Sequence, residues 1–121
     1  MDDKHDPWIV QSVPAQVVAQ LAAVHAPNAE ASAAGVDIFG SPQREDDDGR
    51  NWALLHEARR VEDVVPGSAV LLGSRIGTYL AKVVAWDFAV SDDDPVLVLE
   101  LLPVTPDSVE RALARRHTSA A

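Results

Sequence analysis

Three apolar segments separated by turn residues occupy the second half of the sequence, and they constrain the fold more than any other feature. They cover residues 69–72, 79–88 and 96–102 and are rich in valine and leucine. Short runs of such residues, bounded by glycine, proline and aspartate, are typical of β-strands. Because the connections between them are short, we expect the three strands to pair as an antiparallel meander.

The middle segment shows the alternation of a strand with both faces largely apolar. Its even-numbered residues, from Leu80 through Phe88, should point to one face, and its odd-numbered residues, from Tyr79 through Asp87, to the other. Lys82 interrupts this segment and Glu100 interrupts the next. We therefore expect these two side chains to be exposed or to form a cross-strand pair.

Helical periodicity is present near both ends of the chain. Apolar residues recur every three or four positions from Val13 to Val24, with Ser12 as the expected N-cap. Thr105 is the expected N-cap of a second helix close to the C-terminus.

Residues 51–60 fit either a strand or a helix, and their alternation favours a strand.

Together these elements predict an α+β fold with a mostly antiparallel, curled sheet of about five strands. A terminal helix should flank the sheet at each end, in the manner of a small SH3-like or OB-like barrel. A length of 121 residues suits one domain covering 1–121. Residues 1–8 should form a flexible acidic tail, and residues 118–121 a frayed C-terminus.

The charge balance disfavours whole classes of partner. The chain has 19 Asp and Glu against 10 Lys and Arg, which gives a net charge of -9. Phosphate backbones should be repelled, so no nucleic-acid partner is expected. No apolar run is long enough for a membrane span, and no secretory leader is visible. The absence of cysteine excludes disulfides and thiol catalysis and fits a cytoplasmic protein.

Known catalytic and metal-binding motifs are incomplete. His56 and Glu57 match the start of a zinc-protease helix, but Arg60 stands where the second histidine is required. The acidic loop around Asp46 resembles an EF-hand, yet Leu55 occupies the position of the obligatory glutamate. We therefore expect no dedicated metal site, no cofactor and, on balance, no enzyme. A loose divalent site shared by two acidic loops stays an alternative.

The leading hypothesis is a non-catalytic acidic binding or regulatory module that acts through protein–protein interaction. A non-catalytic role is favoured because the sequence contains no complete set of catalytic residues. The partner should carry a basic surface because the chain has an excess of acidic residues. An aromatic residue outside the expected core also favours a contact surface. The predicted partner-binding residues are Trp8, Asp46, Asp47, Asp48, Asp92, Asp93 and Asp94.

Two other functions remain open. A small enzyme or small-ligand-binding protein could use His56, Tyr79 and Asp87 at the mouth of the sheet. An acidic mimic of nucleic acid would need two aligned rows of carboxylates. Homodimer formation is a further expectation, since the strands carry more apolar surface than two short helices cover.

Overall fold

The computed structural model describes residues 8–41, 44–46, 49–74 and 77–103, and in it the strands form one curled, mixed sheet. The strands are β1 (Ile9–Val10), β2 (Ile38–Phe39), β3 (Asn51–Leu54), β4 (Ala69–Ser74), β5 (Gly77–Asp87) and β6 (Val96–Leu101), and the helices are α1 (Ala15–Val24), α2 (Ala29–Ala34) and two 3₁₀ helices, Leu55–Glu57 and Val61–Val64. The sheet has the order β2-β4-β5-β6-β3, and β1 pairs with β5. The C-terminal helix predicted from Thr105 lies outside the described residues.

The predicted meander of the three apolar segments is confirmed. β5 pairs antiparallel with β4 along its first half and with β6 along most of its length. Lys82 lies directly opposite Glu100, and both side chains are exposed. The cross-strand register expected from the two charged interruptions is therefore correct.

A β-bulge in β5 overturns part of the predicted alternation. The register with β6 shifts between Val83 and Ala85. An extra residue in one strand reverses inside and outside beyond it. Trp86 consequently joins the same core as Ala81 and Val83. The predicted grouping of Trp86 with Leu80 on one face is wrong for this reason.

The first described residues add a strand that the sequence did not predict. Ile9 and Val10 pair with the end of β5, opposite Asp87 and Trp86. The carbonyl of Trp8 accepts a hydrogen bond from the amide of Phe88 at 2.8 Å. The backbone at residue 8 is thereby attached to the sheet, whereas residues 1–7 of the predicted tail lie outside the described part of the chain.

Both helices in the first third of the chain have clear local causes. The N-cap of α1 is Pro14 rather than the predicted Ser12, because the Pro14 carbonyl accepts the first amides of the helix. α2 is separate from α1: the Asn28 side chain accepts an amide hydrogen bond in its first turn. Gly35 ends α2 with a φ of 72°, a conformation that favours glycine.

The ambiguous segment 51–60 is half strand and half 3₁₀ helix. β3 pairs antiparallel with β6, from Asn51 opposite Leu99 to Leu54 opposite Val96. The chain then turns into the 3₁₀ helix, because the Glu57 carboxylate accepts the amide of Leu54 at 2.9 Å. The prediction of a strand therefore holds only for the first four residues of the segment.

The curl of the sheet brings the segment after β3 beside β2. Ala58 forms a β-bridge with Ile38, and the amide of Arg59 donates to the carbonyl of Asp37 at 2.7 Å. These contacts give the sheet the shape of a half-barrel. No helix in the described ranges is long and apolar enough to cross a membrane.

β2 and β4 form a parallel pair, which is an exception to the predicted antiparallel pattern. Gly73 lies within β4, opposite Thr78 of β5. A Cβ atom at Gly73 would lie 2.6 Å from Cγ1 of Val36. Only glycine allows the backbone of β4 to approach Val36 this closely.

Candidate docking surface

Arg59 is held inside the fold by two carboxylates. Its guanidinium lies 3.3 Å from Asp63 and 3.8 Å from Asp37, whose side chains are only 3% and 7% exposed. Asp37 also accepts the amide of Leu71 at 2.8 Å. The cluster joins β4, the start of β2 and the second 3₁₀ helix, so its role is structural.

Arg44 is also engaged within the fold. Its two terminal nitrogens donate to the two oxygens of Glu57 at 2.7 and 2.5 Å. The guanidinium lies 4.9 Å from the ring centroid of Trp52, in a cation–π arrangement. The hydrogen bond to Glu57 raises the pKa of Arg44 above its ordinary value, against the opposing effect of burial. The pair fixes the loop before β3 to the first 3₁₀ helix.

This internal pairing leaves the described surface acidic. Arg60 adds a third arginine–carboxylate pair, at 3.9 Å from Glu62. Within the described ranges, several acidic side chains are exposed and take part in no ion pair with a lysine or arginine: Glu30, Glu45, Asp92 and Asp93. These side chains give the described surface exposed negative charge that no lysine or arginine of the described ranges neutralises in an ion pair.

The loop between β5 and β6 is folded rather than simply solvated. The carboxylate of Asp94 accepts the backbone amide of His56 at 3.0 Å and the Nδ1 hydrogen of its ring at 2.7 Å. The hydroxyl oxygen of Ser91 accepts the amides of Asp93 and Asp94 at 3.2 and 3.1 Å. Asp94 therefore serves as an internal anchor of this loop.

A second histidine holds the same loop from α1. Nε2 of His25 donates to the backbone carbonyl of Asp93 at 2.5 Å. His25 follows the last residue of α1, Val24, so this bond places Val24 beside the loop. A loop that is fixed at several points presents its exposed side chains in defined positions, which lowers the entropy lost on binding.

Three exposed apolar residues lie in this loop or next to backbone that is hydrogen-bonded at it. Val90 lies within it and is 89% exposed, while Val24 is 69% exposed and Trp8 is 55% exposed. The other large apolar residues that are exposed in the described ranges, Tyr79 and Leu101, lie away from the loop. Isolated exposed apolar residues are ordinary, but a group beside carboxylates is typical of an interaction site. We define the docking surface as Trp8, Val24, Val90, Asp92 and Asp93.

The structure brings together only part of the predicted partner-binding set. Trp8, Asp92 and Asp93 lie on the docking surface. Asp46 lies beyond the opposite end of the β3–β6 pair, where it accepts the amide of Arg50 at 2.9 Å. Asp47 and Asp48 lie outside the described residues. Across the described ranges, no three His, Asp or Glu side chains are placed to hold a metal ion.

The three residues predicted for a ligand site at the sheet mouth do not meet. His56 pairs with Asp94, and Asp87 accepts the amide of Ala89 at 2.9 Å in the turn after β5. Tyr79 lies eight positions before Asp87 in the same strand. That spacing corresponds to roughly 26 Å of extended chain.

Several contributors to the docking surface were missed at the level of sequence. Val24 was assigned to the apolar stripe of the first helix but is exposed, Val90 was not singled out, and His25 received no role. The serine before the acidic triplet was the available signal, since a hydroxyl at such a position often accepts amides two or three residues on. Ser91 could thus have indicated a folded turn.

No protein-family model, curated protein or solved structure matches this chain.

Replacement of Asp94 by alanine should release the loop between β5 and β6 from His56. The variant loses two hydrogen bonds to a half-buried carboxylate, so we expect a loss of about 1 kcal/mol in unfolding free energy. Amide hydrogen exchange should speed up at His56 and across the loop. Asp92→Ala is the matched control, because this neighbouring carboxylate is exposed. Equal exchange rates in the two variants would show that Asp94 does not anchor the loop.

Proposed function

We propose that this protein is a non-catalytic binding module that captures a basic segment of a partner protein on its docking surface. One observation carries the proposal: Val90 is exposed in a folded loop whose carboxylates Asp92 and Asp93 also face solvent, and hydrogen bonds join this segment to the backbone of Trp8 and to His25, the neighbour of Val24. Apolar side chains at the centre of an interface supply most of the affinity. Surrounding charges select the partner and steer its approach.

The chemistry of the surface defines the partner. Carboxylates beside apolar anchors suit a segment that presents lysine or arginine next to a large apolar residue, as one face of an amphipathic helix does. The net charge of -9 should attract such a segment over distance, and salt should weaken the attraction. Three further aspartates precede Trp8 in the sequence and add to this potential.

Two further features belong to the proposal. The bridge between Ile38 and Ala58 supports a fold of the small-barrel type, SH3-like or OB-like. The absence of cysteine supports a cytoplasmic location, where structural disulfides are rare. The partner segment would then belong to another cytoplasmic protein.

Calorimetric titration with three synthetic peptides tests the proposed function. The first is a helical peptide of lysine and leucine, the second replaces leucine with serine, and the third replaces lysine with glutamate. We expect the lysine–leucine peptide to bind at least about tenfold more tightly than either of the others. Equal affinity for the lysine–leucine and lysine–serine peptides would exclude a contribution of the apolar side chains to binding. Equal affinity for the lysine–leucine and glutamate–leucine peptides would exclude recognition of the positive charge.

Variants of the docking surface locate the binding. Trp8→Ala should lower the affinity for the lysine–leucine peptide about tenfold. The double variant Asp92→Asn with Asp93→Asn should lower it by a similar factor. Tyr79→Ala and Glu45→Gln are matched controls, because they remove an exposed aromatic ring and an exposed carboxylate elsewhere on the molecule. A loss of affinity in the controls equal to that in the surface variants would place the contact outside the docking surface.

A further inference from the structure

A separate cleft lies between α2, the end of β2 and the loop before β3. Its volume is about 420 Å³, within the range of sites that bind small molecules. None of the residues that line it belongs to the docking surface, so the inference drawn from it does not depend on the proposed function. The lining residues used below are Glu30, Phe39, Gly40, Arg44, Glu57 and Ser74.

The charges in the cleft disfavour an anion. Arg44 is the cation among the described lining residues, and its charge is matched by the bidentate pair with Glu57. Glu30 is exposed at the start of α2 and lies in no ion pair or hydrogen bond with the rest of the described chain. Among the described lining residues, one carboxylate therefore has no matching cation, and it favours a ligand that carries a single positive charge.

The shape of the cleft favours a ligand with an apolar group. Phe39 is half-buried, so part of its ring is available to a ligand. Gly40 adds no side chain, and a Cβ atom there would lie 3.5 Å from Leu72 and 3.8 Å from Arg44. These are ordinary contact distances, so a side chain longer than that of alanine would have to pass these neighbours and enter the cleft that Gly40 lines. An aromatic ring beside a carboxylate is a recurrent way to hold an ammonium group.

We infer that the cleft binds a small organic cation, namely a primary amine that bears an aromatic or compact apolar group. The ammonium group pairs with the carboxylate of Glu30, and the apolar group packs against Phe39 in the space above Gly40. Both terminal nitrogens of Arg44 remain on Glu57, which keeps that guanidinium away from the ligand.

Three probes of equal size test this inference: phenethylamine, 2-phenylethanol and phenylacetate. Their binding is followed by the amide signals of Gly40 and Ser74 in heteronuclear NMR spectra of the full chain. We expect phenethylamine to give saturable shifts with a millimolar Kd, as suits so small a ligand. The alcohol should bind about tenfold more weakly, and phenylacetate should not bind. Equal shifts with all three probes, or shifts confined to other residues, would overturn the assignment.

Two variants identify the groups that bind the probe. Glu30→Gln should reduce the affinity for phenethylamine about tenfold and leave the affinity for the alcohol unchanged, whereas Glu62→Gln should alter neither. Gly40→Leu should abolish binding of both probes by filling the cleft. If Gly40→Leu does not fold, Glu30→Gln decides alone, because it removes only a charge on an exposed side chain. Unchanged affinity for the amine in Glu30→Gln would refute the inference.

Discussion

Arg59→Met should lower the free energy of unfolding by about 3 kcal/mol. The substitution removes the cation that faces two carboxylates, Asp37 and Asp63, both of them almost fully buried. Water cannot reach these carboxylates to compensate, so their charges become unpaired and repel each other. The expected loss is at the lower end of the range for buried pairs, because the Arg59 side chain is itself 26% exposed.

Chemical denaturation of the two neighbouring arginine variants measures this effect. Arg60→Met is the matched control: its side chain is 40% exposed and lies 3.9 Å from Glu62, so the loss should stay below about 1 kcal/mol. Adding Asp63→Asn to Arg59→Met should restore part of the stability by removing one unpaired charge. Equal losses for Arg59→Met and Arg60→Met would show that the buried cluster does not stabilise the fold.

Trp86→Ala should be the most destabilising single substitution considered, with a loss of about 4 kcal/mol. The Trp86 side chain is fully buried, and its ring meets Phe88 edge-on at a centroid distance of 6.2 Å. Its indole N–H donates to the carbonyl of Val64 at 2.9 Å. The variant therefore loses apolar contacts and leaves a buried carbonyl without its donor.

The same substitution at an exposed tryptophan provides the control. Trp8→Ala should change the unfolding free energy by less than about 0.5 kcal/mol, because the side chain is 55% exposed. Denaturant melts of the two variants, compared at equal m-values, give the difference. Similar losses at the two positions would contradict the assignment of Trp86 to the core and of Trp8 to a binding surface.

The sequence predicted those parts of the fold that depend on local pattern. Strands β4, β5 and β6 follow from apolar runs between turn residues, and the pairing of Lys82 with Glu100 follows from their positions in those runs. Strand β1 could not be found, because two residues are too few to show the alternation of apolar and polar side chains that identifies a strand. The bulge at Val84 was equally invisible, since it depends on how β6 aligns with β5.

Part of the proposed docking surface could be chosen from the sequence, because the sequence gives the charged residues directly and shows which aromatic residue lies outside the expected core. Trp8, Asp92 and Asp93 were chosen as an aromatic outside the core and as carboxylates in a polar connection. The contribution of α1 could not be foreseen, because the bond from His25 to Asp93 joins residues 68 positions apart. The cleft beside Glu30 was missed for the same reason: its residues come from four separate segments of the chain.

The most direct test of the docking surface is a residue-by-residue NMR titration of the isotope-labelled protein with the lysine–leucine peptide. We expect the largest shifts at the indole N–H of Trp8 and at the amides of Val24, Val90, Asp92 and Asp93, with smaller changes at high salt. Shifts that are absent, or that gather at the cleft residues Gly40 and Ser74 instead, would contradict the claim that this loop receives the partner.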